Sequence, residues 1–360
     1  MNLHRLSTTK TRIIHISRWL SYPLAILLVS QIGTQAFAAS KSTTSKPSSC
    51  QAGITVNSQG APQFARCSTS VVLGITEPPS PADTSDGLPG AGTASLQNFA
   101  VEAGRPAAVA ADYQQWGGSP GFIAAQARAD AEAGAVEEIS WEPFDYTGGL
   151  TQPAYTDRSI ASGAYDSYLK SWAAGAKAYK KPLFVRFAAE MNGNWDSWDV
   201  GVNGNTAADY VAMWRHVYAV VTGAGAKNIT WLWSPNVSYA GSPSLASVYP
   251  GSAYVGVVAL DGYNWGSAYS YTSWQSFGQI FNPDLASLAK VAPGKPIWIA
   301  ETASTEQGGS KAAWIADAFK QVDSNPNIVG LAWFDFNQPP TYWPINSSAA
   351  SLQAFDGAVK

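Results

Sequence analysis

The chain has 360 residues, of which 46% are hydrophobic and 13% charged. That apolar share excludes a disordered chain and is enough for a large core. So few charges leave a polar surface made mostly of Ser, Thr, Asn, Gln and Gly, which suits a neutral polymer better than nucleic acid.

The first 38 residues read as a secretory signal. His4, Arg5, Lys10, Arg12 and Arg18 form a basic region, and an apolar stretch runs from Trp19 to Ile32. Ala36-Phe37-Ala38 then supplies a small-x-small cleavage pattern. Pro23, Ser30 and Gln31 break the apolar run, which argues against a permanent membrane span. A secreted or periplasmic location is expected, with no membrane partner for the mature form. Without residues 1–38 the chain holds 18 Lys/Arg against 25 Asp/Glu, a net charge of −7. That balance argues against nucleic acid and anionic membranes as partners.

Residues 39–49 are rich in Ser, Thr, Lys and Pro and read as a linker. The two cysteines, Cys50 and Cys67, predict one disulfide in an exported chain. It would staple an N-terminal extension ending near residue 70. From Val71 onward, short apolar runs alternate with amphipathic stretches. The runs are Val71–Thr76, Pro106–Ala111, Val136–Trp141, Leu183–Phe187, Ile229–Ser234, Val255–Leu260, Ile297–Ala300 and Ile328–Phe334. Between them, Pro120–Gly134, Tyr165–Tyr179, Ala207–Val221 and Lys311–Val322 carry helical spacing, with Gly134, Gly175 and Gly223 as candidate C-caps. Eight βα units in residues 71–360 predict an α/β fold, a single (β/α)₈ TIM barrel. A doubly wound open sheet is the alternative, but no Gly-rich phosphate turn follows the first strand.

Histidine chemistry is nearly absent. Only His216 lies beyond the signal, inside a helix-like stretch where a surface or core-edge role is expected. No zinc-site or thiolate pattern occurs, so no metal or organic cofactor is expected. Acid–base work falls to carboxylates. Glu190 and Glu301 follow the fourth and seventh runs, which face each other across a closed barrel's mouth. Two carboxyls flanking one bond can protonate a glycosidic oxygen and stabilise the positive charge developing on the sugar. Tryptophan supports a sugar ligand: Trp141, Trp195, Trp198, Trp233, Trp265, Trp333 and Trp343 fall at strand ends, where they are expected to line a cleft. Trp172, Trp214 and Trp314 are expected in helix packing or on the surface.

Four blocks together resemble glycoside hydrolase family 26, the β-mannanase family, among barrel enzymes with acid/base on strand four and nucleophile on strand seven. They are Arg186-Phe187-Ala188-Ala189-Glu190-Met191-Asn192-Gly193-Asn194-Trp195, Trp231-Leu232-Trp233-Ser234-Pro235-Asn236, Tyr249-Pro250-Gly251 leading to Asp261-Gly262-Tyr263-Asn264-Trp265, and Pro296-Ile297-Trp298-Ile299-Ala300-Glu301. The resemblance covers most of Val71–Asp356. It implies that Glu190 is acid/base and Glu301 nucleophile, that Tyr263 hydrogen-bonds the nucleophile, and that Arg186 lies beneath both glutamates. It places Asn192, Trp195 and Trp198 beside the acid/base, Trp333 at the floor of the −1 subsite, and Trp141 and Glu142 toward the glycone side. Trp233 and Trp265 complete the expected cleft. The implied activity is retaining endo-cleavage of a β-linked polysaccharide, β-mannan or β-1,3-1,4-glucan or a relative; a monomer is expected. One position departs: Ala189 stands where family members carry His before the acid/base, which removes a donor near the −1/+1 sugars. A polysaccharide-binding barrel without catalysis and an exopolysaccharide transglycosylase are the alternatives.

Overall fold

A computed structural model describes residues 52–67, 70–76, 93–118 and 121–360. The expected signal, the linker and Cys50 lie outside the described residues, and so therefore does the expected Cys50–Cys67 pairing. Among the described residues, no helix is long and apolar enough to cross a membrane.

The chain opens with an antiparallel hairpin, β1 (Gly53–Val56) and β2 (Pro62–Ala65). Eight parallel strands then close a barrel: β3 (Val72–Thr76), β4 (Val109–Gln115), β5 (Val136–Glu142), β6 (Leu183–Phe187), β7 (Ile229–Trp233), β8 (Val257–Asn264), β9 (Ile297–Ser304) and β10 (Ile328–Phe334). They pair in sequence order, and β10 returns to β3. Every expected run is a barrel strand. The largest differences are at β4, β8 and β9, which run four residues further than the apolar pattern predicts, because their polar ends Asp112–Gln115, Asp261–Asn264 and Glu301–Ser304 continue to pair.

Helices surround this ring: α1 (Thr93–Glu102), α2 (Ala124–Glu132), α3 (Asp157–Ala161), α4 (Asp166–Tyr179), α5 (Ala207–Gly223), α6 (Leu245–Val248), α7 (Phe277–Val291), α8 (Lys311–Ser324) and α9 (Ala349–Val359). The four expected helices are α2, α4, α5 and α8. Capping boxes at Thr206/Asp209 and Ser276/Gln279 start α5 and α7, each satisfying backbone N–H groups that the first turn leaves without partners. Gly134 follows α2 in the left-handed region as expected. Gly175, however, lies inside α4, which ends at Lys180 with φ 65°. Gly223 is the last residue of α5, and the left-handed position falls two residues later at Gly225.

Strand alternation sorts the side chains into two layers. Leu73, Ile139, Val185, Trp233 and Ile299 face the helices. Val72, Val109, Phe184, Leu232, Ala259, Trp298 and Ala332 form the interior floor. The hairpin closes that floor from below. Phe64 of β2 stacks on Phe184 and Trp298, each with ring centroids 4.7 Å away. Thr230 Oγ1 donates to the Pro62 carbonyl at 2.6 Å, and Arg66 donates to the carbonyls of Asn325 and Ile328. Part of the expected extension is therefore the lower plug of the barrel.

Trp298 occupies space that its neighbours must leave open. A Cβ on Gly74 would lie 2.8 Å from its indole, and one on Gly330 would lie 2.7 Å from it and 2.0 Å from the Val72 carbonyl oxygen. Gly330→Ala is expected to cost at least about 2 kcal/mol, since backbone cannot yield as a flexible side chain does. Gly223→Ala, where a Cβ meets nothing within 4 Å, is expected to stay within about 0.5 kcal/mol or stabilise slightly. Urea unfolding of both variants checks the contrast, and equal stabilities would contradict the packing described.

Candidate active site

Above the apolar floor, the same alternation turns polar side chains inward. Glu138 and Ser140 come from β5, Arg186 from β6, and Asp261 and Tyr263 from β8. Arg186 is 2% exposed and ties this layer together. Its Nη1 donates to Asp261 Oδ2 at 2.8 Å, and its Nη2 donates to Ser140 Oγ at 3.1 Å and to Glu301 Oε1. Its Nε lies 3.5 Å from Glu138 Oε1.

Glu301 reaches this layer through a backbone irregularity. On β9, Ile299 pairs with Leu260 while Glu301 pairs with Asp261, so Ala300 is one residue too many. The same extra residue appears against β10, where Ile299 and Thr302 face Leu331 and Trp333. A β-bulge of this kind lets two consecutive side chains, Ala300 and Glu301, both turn inward. Glu301 Oε1 accepts from Tyr113 Oη at 2.5 Å and from Arg186, and Oε2 accepts from Tyr263 Oη.

Glu190 lies just beyond β6. Ala188 and Glu190 both adopt left-handed backbone, with φ 45° and 57°, a conformation that non-glycine residues hold only when their surroundings impose it. Those surroundings are specific. Ala188 N–H donates to the Trp141 carbonyl at 3.0 Å, and the Ala188 carbonyl accepts from Tyr210 at 3.0 Å. Trp198 Nε1 donates to the Ala189 carbonyl at 2.7 Å, and Glu190 N–H donates to the Ser234 carbonyl at 2.7 Å. The carboxylate then accepts from Trp195 Nε1 at 2.9 Å and from Asn236 Nδ2 at 3.1 Å. Asn192 holds Asn236 in place, donating to its carbonyl at 2.7 Å and accepting from its N–H at 2.9 Å.

A continuous path joins the two glutamates: Glu190 N–H to the Ser234 carbonyl, Ser234 Oγ to Asp261 at 2.9 Å, Asp261 to Arg186, and Arg186 to Glu301. Both glutamates also push up the Asp261 carboxyl, after burial itself, while Arg186 pulls it down; the net effect is well above the usual range. Burial pushes Glu138 up to about 7, opposed by Arg186 and by the Trp298 N–H that donates to it at 2.8 Å. One guanidinium thus faces three carboxyls, two of which favour the protonated form. Asp261 and Glu301 are its strongest electrostatic partners.

The structure brings together Arg186, Glu190, Asn192, Trp195, Tyr263 and Glu301 as expected. Trp265, half-buried, packs on Tyr263 and Trp343 at 5.8 and 5.0 Å. Glu142 is buried at the end of β5. Four expected cleft tryptophans lie elsewhere. Trp141 stacks on Trp172 of α4 at 4.2 Å, Trp233 packs on Tyr249 at 5.0 Å, and Trp333 packs on Trp314 of α8 and Phe355 of α9 at 6.0 and 5.5 Å. These three rings occupy outward strand positions and face the helical layer, so Trp333 does not floor a subsite. Trp198 is 1% exposed, packs edge-on to Phe144 and serves the Ala189 carbonyl instead of a ligand. Trp343 is also buried, beneath Tyr263 and Trp265. Tyr113, Glu138, Ser140, Ser234, Asn236 and Asp261 were not among the expected site residues, although all but Asn236 lie at inward positions of their strands or directly beyond them. His216 sits on α5 and contacts Asp166 at 2.7 Å, as a core-edge residue.

Residues 95–330 match the family model described as glycosyl hydrolase family 26. Endoglucanase H of Acetivibrio thermocellus is 34% identical over 270 residues, which is 74% of this chain and 29% of that protein. Mannan endo-1,4-beta-mannosidase A and B of Caldalkalibacillus mannanilyticus is 37% identical over 82 residues, 21% of this chain and 15% of that protein. The chain thus spans less than a third of the length of either relative. In three dimensions, the catalytic domain of a Bacillus sp. JAMB-750 endo-beta-1,4-mannanase superposes with a TM-score of 0.58 at 20% identity, covering 80% of this chain and 85% of that one. At that identity the likeness speaks for the barrel fold alone.

The Glu138 environment has a consequence for stability. Its carboxyl titrates near 4.5 when unfolded and near 7 in the folded protein. The folded state therefore holds a proton that the unfolded state has lost across that window, and the contribution of this group falls as pH rises from 4.5 through 7. The full swing is roughly 3 kcal/mol. Glu138→Gln retains an acceptor for Trp298 and cannot ionise. Unfolding free energies measured in steps across pH 4.5–7 are expected to fall less steeply for the variant, and parallel profiles would show that Glu138 is ionised throughout.

Proposed function

The chain belongs to glycosyl hydrolase family 26, and from that premise we propose that it is a retaining endo-β-glycanase with Glu301 as nucleophile and Glu190 as acid/base. The unequal setting of the two carboxylates carries the assignment. Glu301 receives a guanidinium and two phenols, all donors, which favour the anion and fix its lone pairs. Glu190 accepts from the neutral N–H groups of Trp195 and Asn236 and sits on a separate loop. A nucleophile must stay charged, whereas an acid/base must gain and lose a proton within each cycle.

In the first step Glu301 attacks the anomeric carbon while Glu190 delivers its proton to the departing glycosidic oxygen. In the second step Glu190 takes a proton from water, which displaces Glu301 and restores both groups. Tyr113 and Tyr263 hold the Glu301 carboxylate in one orientation throughout, so little reorganisation accompanies the attack. The half-buried rings of Trp195, beside Glu190, and Trp265, beside Tyr263, are the sugar platforms of this reading.

The substrate we propose is a β-linked glucan, such as β-1,3-1,4-glucan, ahead of mannan. The match to an endoglucanase extends over most of the chain, while the match to a mannanase covers a fifth of it. Ala189 in place of the family histidine points the same way. The N-terminal basic and apolar pattern supports action outside the cytoplasm, and fractionation of a producing culture tests that placement.

Glu301→Ala and Glu190→Ala are each expected to lower kcat/KM by about 10³-fold or more with unchanged circular dichroism. Azide is expected to rescue Glu301→Ala with a product of inverted configuration. Near-normal activity in either variant would overturn the assignment. A reducing-sugar assay over mixed-linkage glucan, mannan and xylans is expected to give at least a tenfold preference for the glucan. A clear preference for mannan would overturn the substrate while leaving the mechanism standing.

A further inference from the structure

Asp112, Asp130 and Glu137 form a buried acidic cluster that takes no part in the site above. Asp112 and Glu137 occupy outward positions of β4 and β5, and Asp130 lies on α2, which packs over those strands. The cluster thus sits between barrel wall and helix. One carboxylate oxygen from each residue lies within 4.8 Å of the others. All three side chains are buried, with exposures of 6%, 0% and 4%.

Neither Asp130 nor Glu137 is ion-paired with a described Lys, Arg or His. More tellingly, Asp130 Oδ2 and Glu137 Oε2 are fully buried and have no hydrogen-bond partner among the described residues. Gln126 Nε2 reaches the group, at 3.0 Å from Asp112 Oδ2 and 3.2 Å from Asp130 Oδ1. Buried carboxyl oxygens left without donors are costly unless a cation or a proton compensates them.

We propose that Asp112, Asp130 and Glu137 bind a calcium ion that clamps α2 to β4 and β5. Hard oxygen donors alone select a hard cation over a transition metal. Hydration decides between the two common ones: Mg²⁺ dehydrates reluctantly and usually keeps several waters, whereas Ca²⁺ takes carboxylate oxygens, singly or in pairs, in flexible geometry, which suits a site walled in by three buried side chains. Rotating the Gln126 amide by half a turn would present its oxygen as a fourth ligand, in place of the N–H groups that now face the carboxylates. The role is structural, because the ion sits on the outer wall of the strands and its ligands belong to neither Glu190 nor Glu301 nor their hydrogen-bond partners.

The alternative compensation is protons shared among the acids, which the raised affinity of buried Asp130 and Glu137 for protons would also permit. The experiment separates the two. Full-length protein is refolded in chelator, and its melting temperature is followed as CaCl₂ or MgCl₂ is added at pH 7, with bound metal counted by native mass spectrometry. One calcium per chain is expected, with Tm raised by about 5 °C at a hundredfold excess over Kd. Asp130→Asn and Glu137→Gln are expected to abolish the calcium shift while their chelator-treated Tm equals or exceeds that of the parent. An equal response to magnesium would overturn the identity of the ion. A parent protein that binds no calcium and melts identically with and without it would overturn the site, and that measurement stands even where a variant fails to fold.

Discussion

Arg186 is one buried positive charge set among Glu138, Asp261 and Glu301. Its desolvation is costly, and the carboxyls around it offset that cost only if their own charges are rationed. Three anions around one cation in a dry interior would repel one another strongly. Burial shifts Glu138 and Asp261 toward the protonated form, which lessens that repulsion. The ionisation state of the proposed nucleophile is thus a property of a four-residue group. The barrel supplies that group by ordinary strand alternation on β5, β6 and β8, and by a single extra residue on β9.

That extra residue ties fold to chemistry. Regular pairing would point Ala300 inward and Glu301 toward the helices. The bulge adds one position of local twist and delivers Glu301 to Arg186 and the two tyrosines. On the opposite side, Glu190 is delivered by left-handed backbone instead of a bulge. Both carboxylates therefore depend on backbone departures from regular geometry, each restrained by buried hydrogen bonds, one within β9 and the other just beyond β6.

The eight strands were legible because each is an apolar run bounded by turn residues, and a closed parallel sheet buries both faces of every strand. The two glutamates were legible because carboxylates at strand ends stand out against such runs. The tryptophans were misread because position along the strand was weighed without position across it. Trp141, Trp233 and Trp333 each lie an odd number of residues from an inward neighbour, namely Ser140, Leu232 and Ala332, so a period of two already turns them outward. The same counting turns Glu138, Ser140, Arg186 and Asp261 inward, and it would have assembled the polar layer from sequence. The bulge at Ala300 carries no comparable signature, since nothing in Ile-Trp-Ile-Ala-Glu distinguishes a regular strand from a bulged one. Asn236 was visible only as part of a motif, since its role depends on Asn192 across the loop.

The ring itself is closed by a segment that lies upstream of the family match. Residues 95–330 omit β3 and stop within β10, yet the β3–β10 seam is what joins the first strand to the last. A recombinant fragment trimmed to those limits would hold an open sheet with bare edges on both sides of the gap, and bare edges recruit other chains. It would also lack the Phe64 plug, leaving the lower faces of Phe184 and Trp298 wet. The smallest unit able to fold as this barrel therefore reaches from the hairpin to the helix beyond β10, and trimming by sequence similarity alone would yield material prone to aggregate.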